Sequence, residues 1–257
     1  MDSNKIKIGQ TTLHRSTKQV NGAFIKMDDI EFYKISNYDQ MRPFFMSLVS
    51  HSDQWLFISS LGGLTAGRKN PDNALFPYTT DDKSHDSQEQ TGSKTILLAT
   101  KEKETYLWEP FSQRYDGIYR IERNLYKTTY GNQLFFEEIN HDLGLSFSYG
   151  WAFSQEYGIV KKSSLKNLGE EALQVRIVDG IQNVLPYGVN PMMQNEKSTL
   201  LDAYKKNELL EASGLGLFLL SSVPVDKAEP SEALKATTIW QTGINVDNHL
   251  LSALQLD

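Results

Sequence analysis

The most regular stretch of the chain is Leu143-Gly144-Leu145-Ser146-Phe147-Ser148-Tyr149-Gly150-Trp151-Ala152-Phe153-Ser154. Large apolar side chains alternate in it with glycine, alanine and serine. Successive side chains of a β-strand point to opposite faces, so the large side chains would share one face and the small groups the other. The stretch therefore predicts a strand that buries its aromatic face and presents its small-residue face to another layer or to a ligand.

Weaker patterns of the same kind recur on both sides of this strand. Leu173, Val175 and Ile177 alternate with polar residues. Further strand candidates are Ile30–Ile35, Phe44–Val49, Trp55–Leu61, Thr95–Thr100, Thr105–Trp108, Gly117–Arg123, Gln133–Ile139, Gly158–Leu165, Gly216–Val223 and Ala236–Thr242. Many short strands separated by glycine and asparagine turns are typical of antiparallel sheets. We therefore predict a mainly β fold, an antiparallel sandwich.

Two segments show a helical pattern instead. Ser198 can cap a helix that runs to Ala212. Val246, Leu250 and Leu254 lie four residues apart, so on a helix they would form one apolar stripe. That stripe would either dock on the sandwich or lead into a further domain. The sequence thus predicts one or two short helices, a domain over residues 1–244 and a helix beginning in residues 245–257.

Composition and charge exclude several classes of protein. The 257 residues carry a net charge of −6, so no cationic field is expected to hold a nucleic acid. The chain has no cysteine, which excludes disulfides, zinc–thiolate sites and cysteine nucleophiles. Met1–Val20 lacks an apolar signal segment, and the longest apolar run, Leu215–Leu220, is too short to cross a bilayer. We expect a cytoplasmic protein, or one that has lost its targeting segment, with no membrane partner and no cofactor.

The longest irregular stretch, residues 62–93, is the first candidate binding region. It opens with Gly62-Gly63-Leu64-Thr65-Ala66-Gly67-Arg68-Lys69, but Pro71 stands where a nucleotide-binding loop needs a helix, so nucleotide binding is not expected. The run Asp81–Asp86 lacks the oxygen spacing of a calcium loop, so no metal site is predicted. Side chains suited to sugar hydroxyls remain as candidates: Arg68, Asp72, Tyr78, Asp81 and Asp82. The alternative is a solvated loop whose aspartates only make turns.

A second candidate region, rich in aromatic rings, follows at residues 108–119. Aromatic faces can stack on sugar rings, and charged groups beside them can bind hydroxyls. Trp108, Arg114 and Tyr115 are therefore added to the sugar-binding candidates. Rings in strands also commonly belong to the core, and that alternative stays open.

Catalytic patterns are weak in this chain. Glu137-Glu138 and His141-Asp142 are the acid–base candidates, but neighbouring side chains on a strand point to opposite faces, so neither pair forms a dyad by itself. His141 also lies where a hairpin turn is expected. The sequence contains neither a glycine-flanked serine elbow nor a His-Glu-x-x-His helix. We assign no catalytic residue.

Several short motifs resemble the N-terminal domain of cellobiose phosphorylase-type enzymes, which form glycoside hydrolase family 94, formerly glycosyltransferase family 36. The matching motifs occur in order over roughly residues 30–185. They are Ile35-Ser36-Asn37, Met41-Arg42-Pro43-Phe44, Gly62-Gly63, Tyr119-Arg120-Ile121-Glu122, Leu165-Lys166-Asn167-Leu168-Gly169 and Ala172-Leu173-Gln174-Val175.

The resemblance implies a super-β-sandwich like that of galactose mutarotase. In this family such a domain precedes a linker helix and an (α/α)6 catalytic domain, which carries the general acid and the phosphate site. Residues 245–257 would then begin the linker, and the sandwich would bind a saccharide without catalysing alone, pack against the catalytic domain and offer a homodimer surface. Two alternatives stay open: an autonomous aldose 1-epimerase, which would use His141 with a glutamate, and a stand-alone sugar-binding module.

Overall fold

The structure, a computed structural model, describes residues 6–14, 18–222 and 234–256. Its strands are β1 (Lys7–Ile8), β2 (Thr11–Thr12), β3 (Asn21–Met27), β4 (Ile30–Ser36), β5 (Phe45–Leu48), β6 (Gln54–Ser59), β7 (Leu64–Arg68), β8 (Gly92–Lys101), β9 (Glu104–Trp108), β10 (Ile121–Thr128), β11 (Gln133–Asn140), β12 (Leu145–Ser154), β13 (Gly158–Asn167), β14 (Gln174–Gln182), β15 (Lys205–Leu210), β16 (Leu215–Leu220) and β17 (Thr237–Ile239). The helices are α1 (Asp81–Asp86), α2 (Pro191–Glu196) and α3 (Ser198–Tyr204), with 3₁₀ turns at Tyr38–Gln40, Pro71–Asn73 and Ala253–Leu256. None of the helices described is long and apolar enough to span a membrane.

The largest sheet has six antiparallel strands in the order β13-β12-β11-β10-β4-β3. The alternating stretch forms β12, which pairs with β11 and β13 on its two sides. Its large residues are buried as predicted: Leu145, Phe147, Tyr149 and Trp151. On its small-residue face, a Cβ on Gly150 would lie only 2.7 Å from the Cβ of Phe135, so the glycine gives space to a ring of the neighbouring strand.

Two three-stranded sheets, β5-β6-β7 and β14-β8-β9, share one core with the large sheet. Ile58 of β6 and Leu97 of β8 belong to the same buried cluster as Phe136 and Phe147 of the large sheet. Burying each such side chain contributes roughly 1.5–3 kcal/mol. The predicted mainly β, antiparallel sandwich is confirmed, although three short helices form where one or two were expected.

The predicted helix from Ser198 to Ala212 is wrong beyond Tyr204. Lys205–Leu210 forms β15 and pairs with the apolar β16, while Gly214 turns the chain between them with a φ of +63°. With β17 these strands make a further three-stranded sheet. A helix would satisfy the backbone equally well, but pairing with β16 also brings Lys205–Leu210 against an apolar strand.

The predicted helical stripe near the end of the sequence is also wrong. Residues 245–252 contain no helix, and only Ala253–Leu256 forms a 3₁₀ turn. The amide of Leu251 donates to the side-chain oxygen of Gln255 at 2.7 Å, so a local turn takes the place of helical hydrogen bonds. Leu254 is 82% exposed. The domain boundary at residue 244 stays a prediction.

The stretch of residues 62–93 is more regular than expected. Leu64–Arg68 forms β7, whose Leu64 and Ala66 are fully buried, and α1 follows later. The predicted strand Gly117–Arg123 begins only at Ile121, because the amide of Ile118 donates to the carbonyl of Tyr115 at 3.2 Å and closes a turn.

Candidate functional site

An open pocket lies where three connecting segments meet. The loop after β6, helix α1 with the turn that follows it, and the segment between β9 and β10 contribute its walls. Its volume is about 430 Å³, a size that suits a small-molecule site. The lining residues are Leu61, His85, Asp86, Gln88, Glu89, Gln113 and Arg114. Six of the seven have side chains that hydrogen-bond.

Helix α1 packs tightly on the β6–β7 hairpin. A Cβ on Gly63 would collide with the carbonyl oxygen of Ser84, so only glycine allows the helix to come this close. The first turn is closed by the amide of Ser84, which donates to the carbonyl of Thr80 at 3.0 Å. Consequently the pocket wall formed by α1 has a defined position despite its short length.

His85 is oriented by a buried serine. Its Nδ1 lies 2.7 Å from the hydroxyl oxygen of Ser59, which is fully buried. The Ser59 oxygen also accepts from the amide of Leu61 at 3.1 Å, so its hydroxyl proton is available for Nδ1. Nε2 of His85 has no partner among the described residues. The imidazole is thus held in place with one nitrogen left for a ligand.

Beside the pocket, one lysine bridges two carboxylates. Nζ of Lys94 lies 2.6 Å from Glu89 Oε2 and 3.0 Å from Glu109 Oε2. The hydroxyl of Ser112 donates to the other oxygen of Glu89 at 3.1 Å. Ser112 belongs to the segment that also carries Arg114, so this network ties two walls of the pocket together.

The same network controls the charge state of the site. Burial by itself would raise the pKa of Glu89 and lower that of Lys94. Their mutual hydrogen bond and opposite charges outweigh burial, so the pKa of Glu89 lies below its usual value and that of Lys94 above. Both groups are therefore charged near neutral pH.

The segment between β9 and β10 is fastened to the core by a buried glutamate. Glu138, which is 2% exposed, accepts from the indole Nε1 of Trp108 at 2.8 Å, the amide of Phe111 at 2.8 Å and Nε of Arg123 at 2.7 Å. Arg123 also donates to the carbonyl of Ser112 at 3.2 Å. Although burial opposes its charge, Glu138 holds the pKa of Arg123 above the ordinary value. The segment that carries Gln113 and Arg114 is therefore attached through a charged, water-excluded contact.

Of the predicted sugar-binding residues, Arg114 lies in the pocket. Tyr115 follows it and is half-buried, but it is not among the residues that line the pocket. The prediction for Trp108 is wrong, because the side chain is 2% exposed and its N–H is used by Glu138. Neither face of that indole can stack on a ligand.

Arg68 and Tyr78 are not among the residues that line the pocket. Arg68 is the last residue of β7 and lies four residues, or about 13 Å along the strand, from Leu64. Its Nη2 is 3.3 Å from Oδ1 of Asp53. Tyr78 packs edge-on against Trp55 with 6.0 Å between ring centroids. The structure therefore does not bring these side chains together with Arg114.

Three aspartates complete the predicted set. Asp72 lies exposed in the 3₁₀ turn Pro71–Asn73, and Asp82 is exposed on α1, where it accepts from the hydroxyl of Thr80 at 2.5 Å. That bond holds the pKa of Asp82 below its usual value. Asp81 begins α1, but its side chain lies outside the described part of the structure. Among the described residues, no group of three or more His, Asp or Glu side chains is arranged to hold a metal ion.

His141 occupies the turn predicted for it and is not among the residues that line this pocket. Its Nε2 is 3.7 Å from Oε2 of Glu122, which also binds Lys18 at 2.9 Å. A sugar ring does not fit between an imidazole and a carboxylate at this distance. The histidine–glutamate pair therefore lacks the spacing that an epimerase needs.

Sequence reasoning missed most of the pocket. His85, Glu89 and Lys94 belong to a polar run that is typical of a solvated loop, and Gln113 carried no signal of its own. Their function as pocket walls depends on a contact between Glu89 and Ser112, which are far apart in sequence. No local pattern encodes that contact.

The chain matches no protein-family model, and no curated protein matches it. What the chain binds must therefore be inferred from its own residues and geometry.

Proposed function

We propose that this chain is a saccharide-binding β-sandwich domain that is not catalytic by itself, of the kind found in glycoside phosphorylase-like enzymes. One observation carries the proposal: a pocket of about 430 Å³ in which six of the seven lining side chains, from two of the three contributing segments, can form hydrogen bonds. The resemblance to glycoside hydrolase family 94 supplies the expected partners, a saccharide and an (α/α)6 catalytic domain. The homodimer surface and a cytoplasmic location stay predictions.

The chemistry of the pocket matches that of a polyhydroxylated ligand. A sugar hydroxyl both donates and accepts, so its site needs both kinds of group. Asp86 and Glu89 accept, Arg114 donates, and the amides of Gln88 and Gln113 do both. Because carboxylate and guanidinium groups are both present, a neutral ligand can bind without leaving one large charge uncompensated.

The charge state of the pocket supports binding more than catalysis. A general acid needs a raised pKa so that it carries a proton near neutral pH. Glu89 has a lowered pKa because Lys94 and Ser112 bind its two oxygens. It is therefore held as a fixed hydrogen-bond acceptor, which is useful for recognition but not for protonating a leaving group.

The two alternatives have less support. The epimerase would need an acid and a base on opposite sides of a sugar ring, and His141 and Glu122 are in near contact instead. A stand-alone sugar-binding module would use the same pocket, so it differs only in whether a catalytic domain is its partner.

Calorimetric titration with cellobiose tests the proposal. We expect saturable binding to the wild-type chain and a roughly tenfold weaker affinity for Arg114→Ala, the size expected for a lost hydrogen bond to a charged group. Arg68→Ala is the matched control, because it removes an exposed arginine away from the pocket. Incubation with cellobiose and inorganic phosphate should release no glucose 1-phosphate. Absence of saccharide binding, or binding that depends on Arg68 and not on Arg114, would contradict the proposal.

A further inference from the structure

The pocket adjoins a much smaller inner chamber. The chamber has a volume of about 20 Å³ and shares Leu61, Gln88 and Glu89 with the pocket. Its inner end is lined by residues of the core sheets and by the segment between β9 and β10. Those that matter for recognition are Gly62, Lys94, Thr95, Ser112 and Tyr149. A space of this size holds one oxygen atom with its hydrogens.

The chamber contains an unpaired polar group. Tyr149 is 4% exposed, and its hydroxyl has no hydrogen-bond partner among the described residues. By contrast, the hydroxyl of Tyr126, another buried tyrosine of the same sheet, donates to Glu137 at 2.7 Å. Among the described residues, this hydroxyl of Tyr149 is not one of the sealed-off polar atoms that lack a partner. Tyr149 instead lines the chamber, where a bound molecule or water can pair with its hydroxyl.

A glycine keeps the space in front of this hydroxyl open. A Cβ on Gly62 would lie 2.9 Å from the Tyr149 oxygen, and Gly62 has a φ of +100° that other residues rarely adopt. A side chain at this position would crowd the phenol, so glycine keeps the hydroxyl open to the chamber that both residues line. Glu89, Lys94 and Ser112, bonded to one another, form the polar wall on the pocket side.

We propose that the inner chamber is a specificity subsite that receives one hydroxyl group of the bound sugar, which accepts from or donates to Tyr149. This inference rests on the proposed saccharide function. Lys94, the one cationic side chain among the described residues that line the chamber, is already paired with both Glu89 and Glu109, so these three groups sum to −1 and do not favour an anionic substituent. The ligand class is thus a neutral saccharide that inserts a free hydroxyl, not a sugar whose inserted group is a phosphate or a carboxylate.

The test combines one variant with a ligand panel. Tyr149→Phe removes only the hydroxyl, and we expect it to weaken cellobiose binding five- to twentyfold in calorimetric titration. Tyr126→Phe is the matched control, because it deletes a buried tyrosine hydroxyl elsewhere on the same sheet. Its affinity should equal that of the wild type. Monodeoxy cellobiosides then identify the inserted group, since the analogue that lacks it should bind both wild type and Tyr149→Phe with the same weakened affinity.

The outcomes separate this inference from the proposed function. If the wild-type chain binds no saccharide, the proposed function fails. If the wild-type chain binds cellobiose and Tyr149→Phe binds it equally well, the chamber is a hydration site only and the inference is wrong. This conclusion holds whether or not the variant has a lower melting temperature. Should Tyr149→Phe fail to fold, the panel on the wild-type chain decides: one monodeoxy analogue at least tenfold weaker than the rest supports the subsite, and uniform affinities overturn it.

Discussion

The pocket and the far end of the β6–β7 hairpin contain the same kinds of charged residue but support them differently. At the pocket, Lys94 and Glu109 pair at 3.0 Å, with side chains 26% and 7% exposed. At the hairpin end, Arg68 and Asp53 pair at 3.3 Å, with side chains 62% and 34% exposed. Solvent weakens the second pair and leaves its side chains mobile, whereas burial strengthens the first and fixes its geometry. Of these two regions, the pocket is therefore the one that holds its polar groups in position for a ligand.

The largest expected effect comes from removing the buried anchor of the pocket. Glu138→Ala removes the buried ionic partner of Arg123 and leaves its charge only the more exposed Asp116, which should lower the free energy of unfolding by about 3–5 kcal/mol. Denaturant unfolding measures this loss. A loss below about 1 kcal/mol would show that the pocket segment does not depend on Glu138.

The next effect concerns the packing of α1. Gly63→Ala places a methyl group against the carbonyl of Ser84 and should cost about 1–3 kcal/mol through overpacking. Gly180→Ala is the matched control, since a Cβ there meets nothing within 4 Å. It should leave stability unchanged or slightly higher. Equal melting temperatures for the two variants would mean that α1 does not pack as described.

A smaller effect should appear in the dependence of stability on pH. The pKa of Glu89 is lowered in the folded chain, so between its usual value and that lowered value the unfolded chain binds more protons. The stability that Glu89 contributes is therefore complete near neutral pH and is lost as the pH falls below about 4.3. Thermal unfolding of wild type and Glu89→Gln over acid pH checks this sign. The wild type should lose more stability on acidification than the variant, and parallel curves would contradict it.

The smallest effect is expected at the hairpin end. Asp53→Ala should change the free energy of unfolding by at most about 1 kcal/mol, and added salt should shrink the difference. Chemical denaturation at low and high salt provides the measurement. A salt-independent loss comparable to that of Glu138→Ala would remove the distinction between the two regions.

Local patterns predict the strands well and the site poorly. The alternation in residues 143–154 is sufficient to predict β12, because a repeat of two residues matches the alternating side chains of a β-strand. The helix proposed for Ser198–Ala212 failed since the pairing of β15 with β16 is a tertiary interaction that overrides a weak helical pattern. Arg114 could be predicted as a pocket residue because it lies in a segment rich in aromatic residues. Trp108 could not be assigned correctly, because its burial and its hydrogen bond to Glu138 depend on a residue 30 positions away in the sequence. The pocket itself depends on contacts between distant segments. The sequence alone therefore could not predict that His85, Glu89 and Tyr149 contribute to one site.

The account depends most on where a saccharide binds, and amide chemical-shift mapping measures that directly. Cellobiose would be titrated into isotope-labelled chain while the backbone signals are followed to saturation. We expect the largest shifts at residues 61–62, 85–89 and 112–114, and none beyond the noise at residues 53, 68, 72 and 78. Saturable shifts centred on the second group, with the first group unmoved, would contradict the assignment of the pocket as the binding site.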